Sequence, residues 1–213
     1  MKSRFRFVFF DVDSTLVTIE GIDVLAKGNP EIVRLTEAAM NGEIPLGEVY
    51  GRRLEIIRPT RAEVEALGAQ YVASMVDGVE ETIATLRGAG AHIHLVTAGV
   101  AQAIAPLADK LDIRRVHAVS LQFDSDGAYA GFDRTSPLAR SGGKELVVRD
   151  VLSRSKGASA FVGDGVTDLE AKPVVDLFIG FGGVHERARV RENAEVYVTE
   201  PTLKAVLPYL IES

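Results

Sequence analysis

The sequence predicts an α/β fold: a parallel sheet flanked by helices, with one helical insertion. Three observations carry that prediction. Short apolar runs alternate with helix-patterned stretches along most of the 213 residues, the order that strand–helix–strand units produce. The most apolar run, "FVFF" at 7–10, ends in the acidic "DVD" of residues 11–13, as a buried strand does when it delivers polar groups to a sheet edge. Residues from about 18 to 76 carry helical patterns with no strand pattern between them.

In chain order, strands are expected at "FRFVFF" (5–10), "HIHLVT" (92–97), "SAFVG" (159–163), "LFIGF" (177–181) and "EVYVT" (195–199). Helices are expected at "VEETIATLRG" and "GKELVVRDVLSR" between them. Within the insertion, "PEIVRLTEAAMNG", "PLGEVYGRRLEII" and "RAEVEALGAQYVASM" place apolar residues three and four apart, with Pro or Gly at the breaks. "LQFDSDGAYAGF" reads as a hairpin closed by a two-residue Asp126-Gly127 turn. The division that follows is a core of 1–17 and 77–213 with a helical cap of 18–76.

Composition narrows the function classes. A hydrophobic fraction of 46% allows a sizeable core, and a net charge of -6 argues against a phosphate-backbone binder. The chain has no cysteine, which removes disulfides and thiol-ligated metals. The first apolar run is short and ends in aspartates, unlike a signal peptide or a membrane span. A cytoplasmic enzyme with no nucleic-acid or membrane partner is the expectation.

Four local patterns carry chemistry. Asp11 and Asp13 sit two apart at a strand end, a spacing that also suits a solvated turn. "VGDGVTDLEA" (162–171) puts Asp164 and Asp168 after a second strand, with Gly163 and Gly165 giving backbone freedom beside them. Asp168 also suits a helix cap. If the two acidic strand ends met, they would suit a hard cation such as Mg²⁺. "LVTAG" (95–99) offers the Thr97 hydroxyl and the amides of Ala98 and Gly99 to an anion at a helix start, or is an ordinary strand–helix turn. Lys144 in "SGGKEL" opens a helix, where the dipole disfavours a cation unless an anion lies near.

The joint order of these patterns resembles the haloacid dehalogenase superfamily of phosphohydrolases. "DVDSTLVTIEGIDVLA", "GAYAGFDRTSPLARSGGK" and "GDGVTDLEAKPVVDLFIGFGG" are similar to its phosphoserine phosphatase family nearly end to end. The resemblance implies a Rossmann-like core with a helical cap and a Mg²⁺-dependent hydrolysis of O-phosphoserine, the last step of serine biosynthesis. It implies Asp11 as nucleophile and Asp13 as acid, then base. Asp11, the Asp13 carbonyl and Asp164 would bind metal with support from Asp168, and Thr97, Ala98, Gly99, Lys144 and Thr167 would surround the phosphoryl group. It further implies Glu20 on the substrate ammonium, Arg53 on its carboxylate, Met40 as an apolar shield and Arg187 near the closed cap.

Two departures from the family pattern stand out. Thr97-Ala98-Gly99 replaces Ser-Gly-Gly, and Thr167 replaces asparagine. Both bear on substrate fit more than on reaction type. Competing readings are a phosphatase for another small phosphomonoester, a phosphotransferase, and a receiver-like signalling module; the last needs neither Asp13 nor a cap.

Overall fold

The computed structural model describes residues 2–212. In chain order, β1 (Phe7–Phe10) leads into helices α1 (Gly21–Leu25), α2 (Pro30–Met40), α3 (Leu46–Ile57) and α4 (Arg61–Ala73). The chain returns through α5 (Val79–Gly88) to β2 (His92–Val100), α6 (Ala101–Lys110) and β3 (Val116–Val119). A hairpin of β4 (Leu121–Phe123) and β5 (Tyr129–Phe132) follows. The rest alternates α7 (Gly143–Arg154), β6 (Ser159–Gly163), α8 (Val166–Leu169), β7 (Leu177–Phe181), α9 (Ala188–Asn193), β8 (Val196–Val198) and α10 (Leu207–Leu210).

Six strands form one sheet in the order β3-β2-β1-β6-β7-β8, each neighbouring pair parallel. Phe7, Val8, Phe9 and Phe10 are all buried, because β1 is central and covered on both faces. Burying such a side chain stabilises the fold by roughly 1.5–3 kcal/mol, so this run anchors the tip that follows it. The chain works outward from β1 to β3 and then resumes on the other side of β1 at β6. That reversal opens a crevice at the carboxyl ends of β1 and β6.

The insertion leaves and rejoins the core through paired backbone. Val17 bridges Met75, Thr18 N–H donates to the Ser74 carbonyl at 2.8 Å and Val76 N–H to the Leu16 carbonyl at 2.9 Å. Inside it, α4 starts at a capping box in which Thr60 and Glu63 each satisfy the other's backbone N–H. Among the described residues no helix is long and apolar enough to cross a membrane.

Three local expectations need correction. The hairpin does not close on a two-residue Asp126-Gly127 turn: Gly127 N–H donates to the Asp124 carbonyl at 3.1 Å, so Ser125 and Asp126 form the bend. Gly127 follows at φ 82°, the left-handed position that glycine tolerates. Residues 97–99 are not a strand–helix turn, because β2 continues to Val100 with a register shift against β3 between Val96 and Val100. The sheet also holds β3, which no apolar run announced; as a half-exposed edge strand, only its Val119 is buried.

Candidate active site

Asp11 stands one residue beyond β1, and its N–H donates to the Val162 carbonyl of β6 at 3.0 Å. Phe10 and Val162 are register partners, so the acidic residues after the two strands emerge side by side. Oxygens from Asp11, Asp164 and Asp168 lie within 4.8 Å of one another, all three residues buried. Such a set of hard oxygen donors fits a divalent cation. Lys144, in the first turn of α7, places Nζ 2.8 Å from Asp11 Oδ1 and 2.5 Å from Asp168 Oδ1. Burial alone would favour its neutral amine, but the two carboxylates reverse that and hold the proton more tightly than usual. These carboxylates also offset the helix dipole that disfavours a cation here.

Burial pushes the Asp168 carboxyl up to about 8, with the Asp11 charge adding to the effect. Burial also raises Asp164, against the pull of Arg187. Asp168 Oδ2 accepts the Gly165 N–H at 2.8 Å, so it caps α8 and faces Lys144 at once. The two glycines serve close approach rather than backbone freedom, since neither has a positive φ. A Cβ at Gly163 would fall 2.3 Å from Asp168 Cγ, and one at Gly165 would fall 3.1 Å from Met40 Sδ.

Asp13 turns toward the insertion. Its Oδ1 accepts from Tyr71 Oη at 2.7 Å and from Gly21 N–H at 2.8 Å. Burial, reinforced by the Asp11 charge, raises its carboxyl to about 7, while these two hydrogen bonds oppose the rise. Ser14, between the acidic pair and α1, is held at φ 52° and donates its hydroxyl to Glu20 Oε1 at 2.6 Å. At the β2 tip, Thr97 Oγ1 accepts the Gly99 N–H at 2.9 Å. The Gly99 amide is therefore engaged inside the chain rather than turned to an anion.

The insertion closes over these groups. Asp11, Asp13, Glu20, Met40, Arg53, Thr97, Ala98, Gly99, Lys144 and Thr167 border one cavity of about 50 Å³. Arg53 is 3% exposed, and burial lowers its guanidinium pKa. Its NH1 donates to Thr36 Oγ1 at 3.0 Å, Thr36 donates to Asp23 Oδ1 at 2.7 Å, and the Tyr50 ring centroid lies 5.9 Å from its Cζ. Its Nε is buried without a hydrogen-bond partner, and Arg53 enters none of the ion pairs found among the described residues. Burial, with the charges of Asp13 and Asp164, raises the Glu20 carboxyl well above the usual range.

A family model for haloacid dehalogenase-like hydrolases matches residues 8–171. A phosphoserine phosphatase of Bos taurus is 40% identical over 199 residues, covering 91% of this chain and 88% of that protein. The phosphoserine phosphatase of Homo sapiens is 39% identical over the same shares of both chains. The chain belongs to the phosphoserine phosphatase family of haloacid dehalogenase-like hydrolases. It is a phosphoric monoester hydrolase. Its fold is similar to that of a phosphoserine phosphohydrolase-like protein from Francisella tularensis subsp. tularensis SCHU S4, with a TM-score of 0.87 and 25% identity over 99% of this chain and 100% of that one.

Within this haloacid dehalogenase-like frame, Arg187 sits against the insertion, its NH1 donating to Asn41 Oδ1 at 3.3 Å. It lies outside the cavity lining, its Nε 3.0 Å from Asp164 Oδ2 and its NH2 3.9 Å from Glu20 Oε1. Asp164 and Asp168 stand behind Asp11 rather than on the cavity wall. Sequence reasoning missed Tyr71, Tyr50, Thr36 and Asp23. Tyr71 carried a readable signal: it continues the buried face of Val64, Leu67 and Gly68 on α4, and a buried tyrosine hydroxyl requires a partner. Tyr50, whose Oη donates to the Ala98 carbonyl at 2.9 Å, carried the same signal on α3.

Proposed function

We propose that this chain hydrolyses O-phospho-L-serine to L-serine and phosphate with Mg²⁺, through a phosphorylated Asp11, as the last step of serine biosynthesis. The observation that carries the substrate is Arg53. A buried guanidinium whose Nε is free and which has no ion-pair partner among the described residues suits a substrate carboxylate, which it can bind with two parallel hydrogen bonds. Glu20, bordering the same cavity, is the matching carboxylate for an ammonium group. Met40 covers the phosphoryl end from α2. The residues of 18–76 thus act as a cap that reads the amino-acid end of the substrate.

Asp11 attacks phosphorus as the bond from phosphorus to the serine oxygen breaks, and Asp13 gives that oxygen its proton. Asp13 then takes a proton from water as the water oxygen displaces Asp11 from phosphorus. A carboxyl raised to about 7 suits both halves, because it can hold and release a proton near neutral pH. Lys144 and the hydroxyls of Thr97 and Thr167 orient the phosphoryl oxygens and balance their charge. Mg²⁺, held by Asp11, the Asp13 carbonyl and Asp164 with Asp168 behind them, would supply further positive charge against those oxygens.

The test is phosphate release over a panel of phosphomonoesters, with Mg²⁺ and in excess chelator. Phosphoserine should give the highest kcat/KM, and chelation should stop turnover until Mg²⁺ is restored. A sugar or amino-alcohol phosphate outrunning phosphoserine would reject the substrate; full activity in chelator would reject the metal.

A further inference from the structure

We infer that Tyr71 and Gly21 form a clamp on one oxygen of Asp13 that aims the other at the leaving group, making Tyr71 a positioning residue for the proton transfer. This rests on the reading of Asp13 as the general acid. Both donors converge on Oδ1, Tyr71 Oη at 2.7 Å and Gly21 N–H at 2.8 Å. An oxygen already accepting two hydrogen bonds is the poorer place for a carboxyl proton, so the neutral acid carries it on Oδ2. Oδ2 faces the β2 tip, where a Cβ added at Gly99 would sit 3.1 Å from it. That is the side of Thr97, the phosphoryl end of the cavity.

The two clamp residues fit each other. A Cβ at Gly21 would fall 1.9 Å from Tyr71 Oη and 2.8 Å from its Cζ, so the phenol reaches Asp13 because residue 21 has no side chain. Tyr71 is fully buried, and the helix that carries it is seated on the core. A Cβ at Gly68 of α4 would meet Pro106 Cγ at 3.0 Å and the Ala103 carbonyl oxygen at 3.2 Å, both on α6. The phenol is therefore referenced to the core, whereas Met40 and Arg53 ride on α2 and α3. One part of the insertion holds the acid and another part reads the substrate.

A hydroxyl that merely satisfied its own burial would affect all substrates alike. A clamp on the acid has a different signature, because a poor leaving group needs the proton and a good one does not. The experiment measures kcat/KM for ethyl phosphate and for nitrophenyl phosphate, which both lack the amino-acid end and differ in leaving group, in Tyr71→Phe, Gly21→Ala and Asp13→Asn, with thermal melts of each. Tyr71→Phe should lose about tenfold more on ethyl phosphate than on nitrophenyl phosphate, part of the roughly 100–10,000-fold that a positioned acid contributes. Gly21→Ala, which displaces the phenol, should skew the ratio in the same direction. Asp13→Asn should skew it most. If Asp13→Asn depresses both substrates equally, Asp13 is not the acid and the clamp falls with that reading. If Asp13→Asn skews the ratio but Tyr71→Phe does not, the acid stands and the clamp is overturned.

Discussion

Two buried cationic regions face each other across the cavity and differ in how their charge is met. On the core side, Lys144 lies between Asp11 and Asp168, and Arg187 lies against Asp164. On the insertion side, Arg53 is as buried as Lys144 but, among the described residues, finds only the Thr36 hydroxyl and an aromatic face. Burying an ion is costly unless it is paired. The core side meets that requirement with its own residues. Among the described residues the insertion side does not, which is why Arg53 is proposed to receive the substrate carboxylate. On the proposed function, chemistry would rest on complete ion pairs and selectivity on an incomplete one.

The sharpest way to break this comparison is on the core side. Asp11→Asn should abolish turnover on every phosphomonoester while the fold persists, because the amide is too weak a nucleophile to attack phosphorus. Phosphate release and a thermal melt check it together. Turnover near the original level in a clean preparation would rule out the assigned nucleophile.

A smaller and more selective effect is expected on the insertion side. Arg53→Ala should cost about 2–5 kcal/mol of binding to phosphoserine, the range for removing one side of a buried charge pair. An aryl phosphate, lacking the carboxylate, should lose much less. The ratio of kcat/KM on the two substrates is the readout. Equal losses would mean that Arg53 holds the insertion together and does not read the substrate.

The smallest expected effect extends the comparison to the far end of β2, where a buried basic group avoids charge altogether. His94 is held neutral down to about 3 by burial and by the neighbouring His117 and Arg115, and its Nδ1 lies 3.2 Å from His117 Nε2. Because its folded pKa lies below the unfolded value near 6.5, the unfolded chain binds the extra proton as pH falls between those values. Stability is therefore complete above about 6.5 and declines as pH drops toward 3. His94→Gln should flatten the loss of urea midpoint between pH 7 and 5. His92 and His117, shifted in the same direction, should leave a residual slope. An unchanged profile would remove His94 from the account.

Local pattern was enough to place the strands from β1 to β8 apart from β3, whose half-exposed edge needs little apolar character. It was also enough to find the acidic residues at the β1 and β6 tips, since a buried run followed by carboxylates is written within ten residues. Arg53 and Glu20 were legible only through family resemblance, because nothing in their immediate neighbours separates them from surface charges. Tertiary structure alone decided that β1 and β6 are neighbours, which brings Asp11, Asp164 and Asp168 within reach of one ion.

It also decided details that no window of sequence contains. Arg187 rests on Asp164, and the Asp13 carboxyl is joined to a tyrosine 58 residues away. The physical reason is the same in each case. Periodicity and turn chemistry are properties of adjacent residues, and the sequence by itself determined whatever depended on them. Burial, the pairing of a charge and the direction of a hydrogen bond belong to groups that meet only after folding, and those were left for the packed chain to decide.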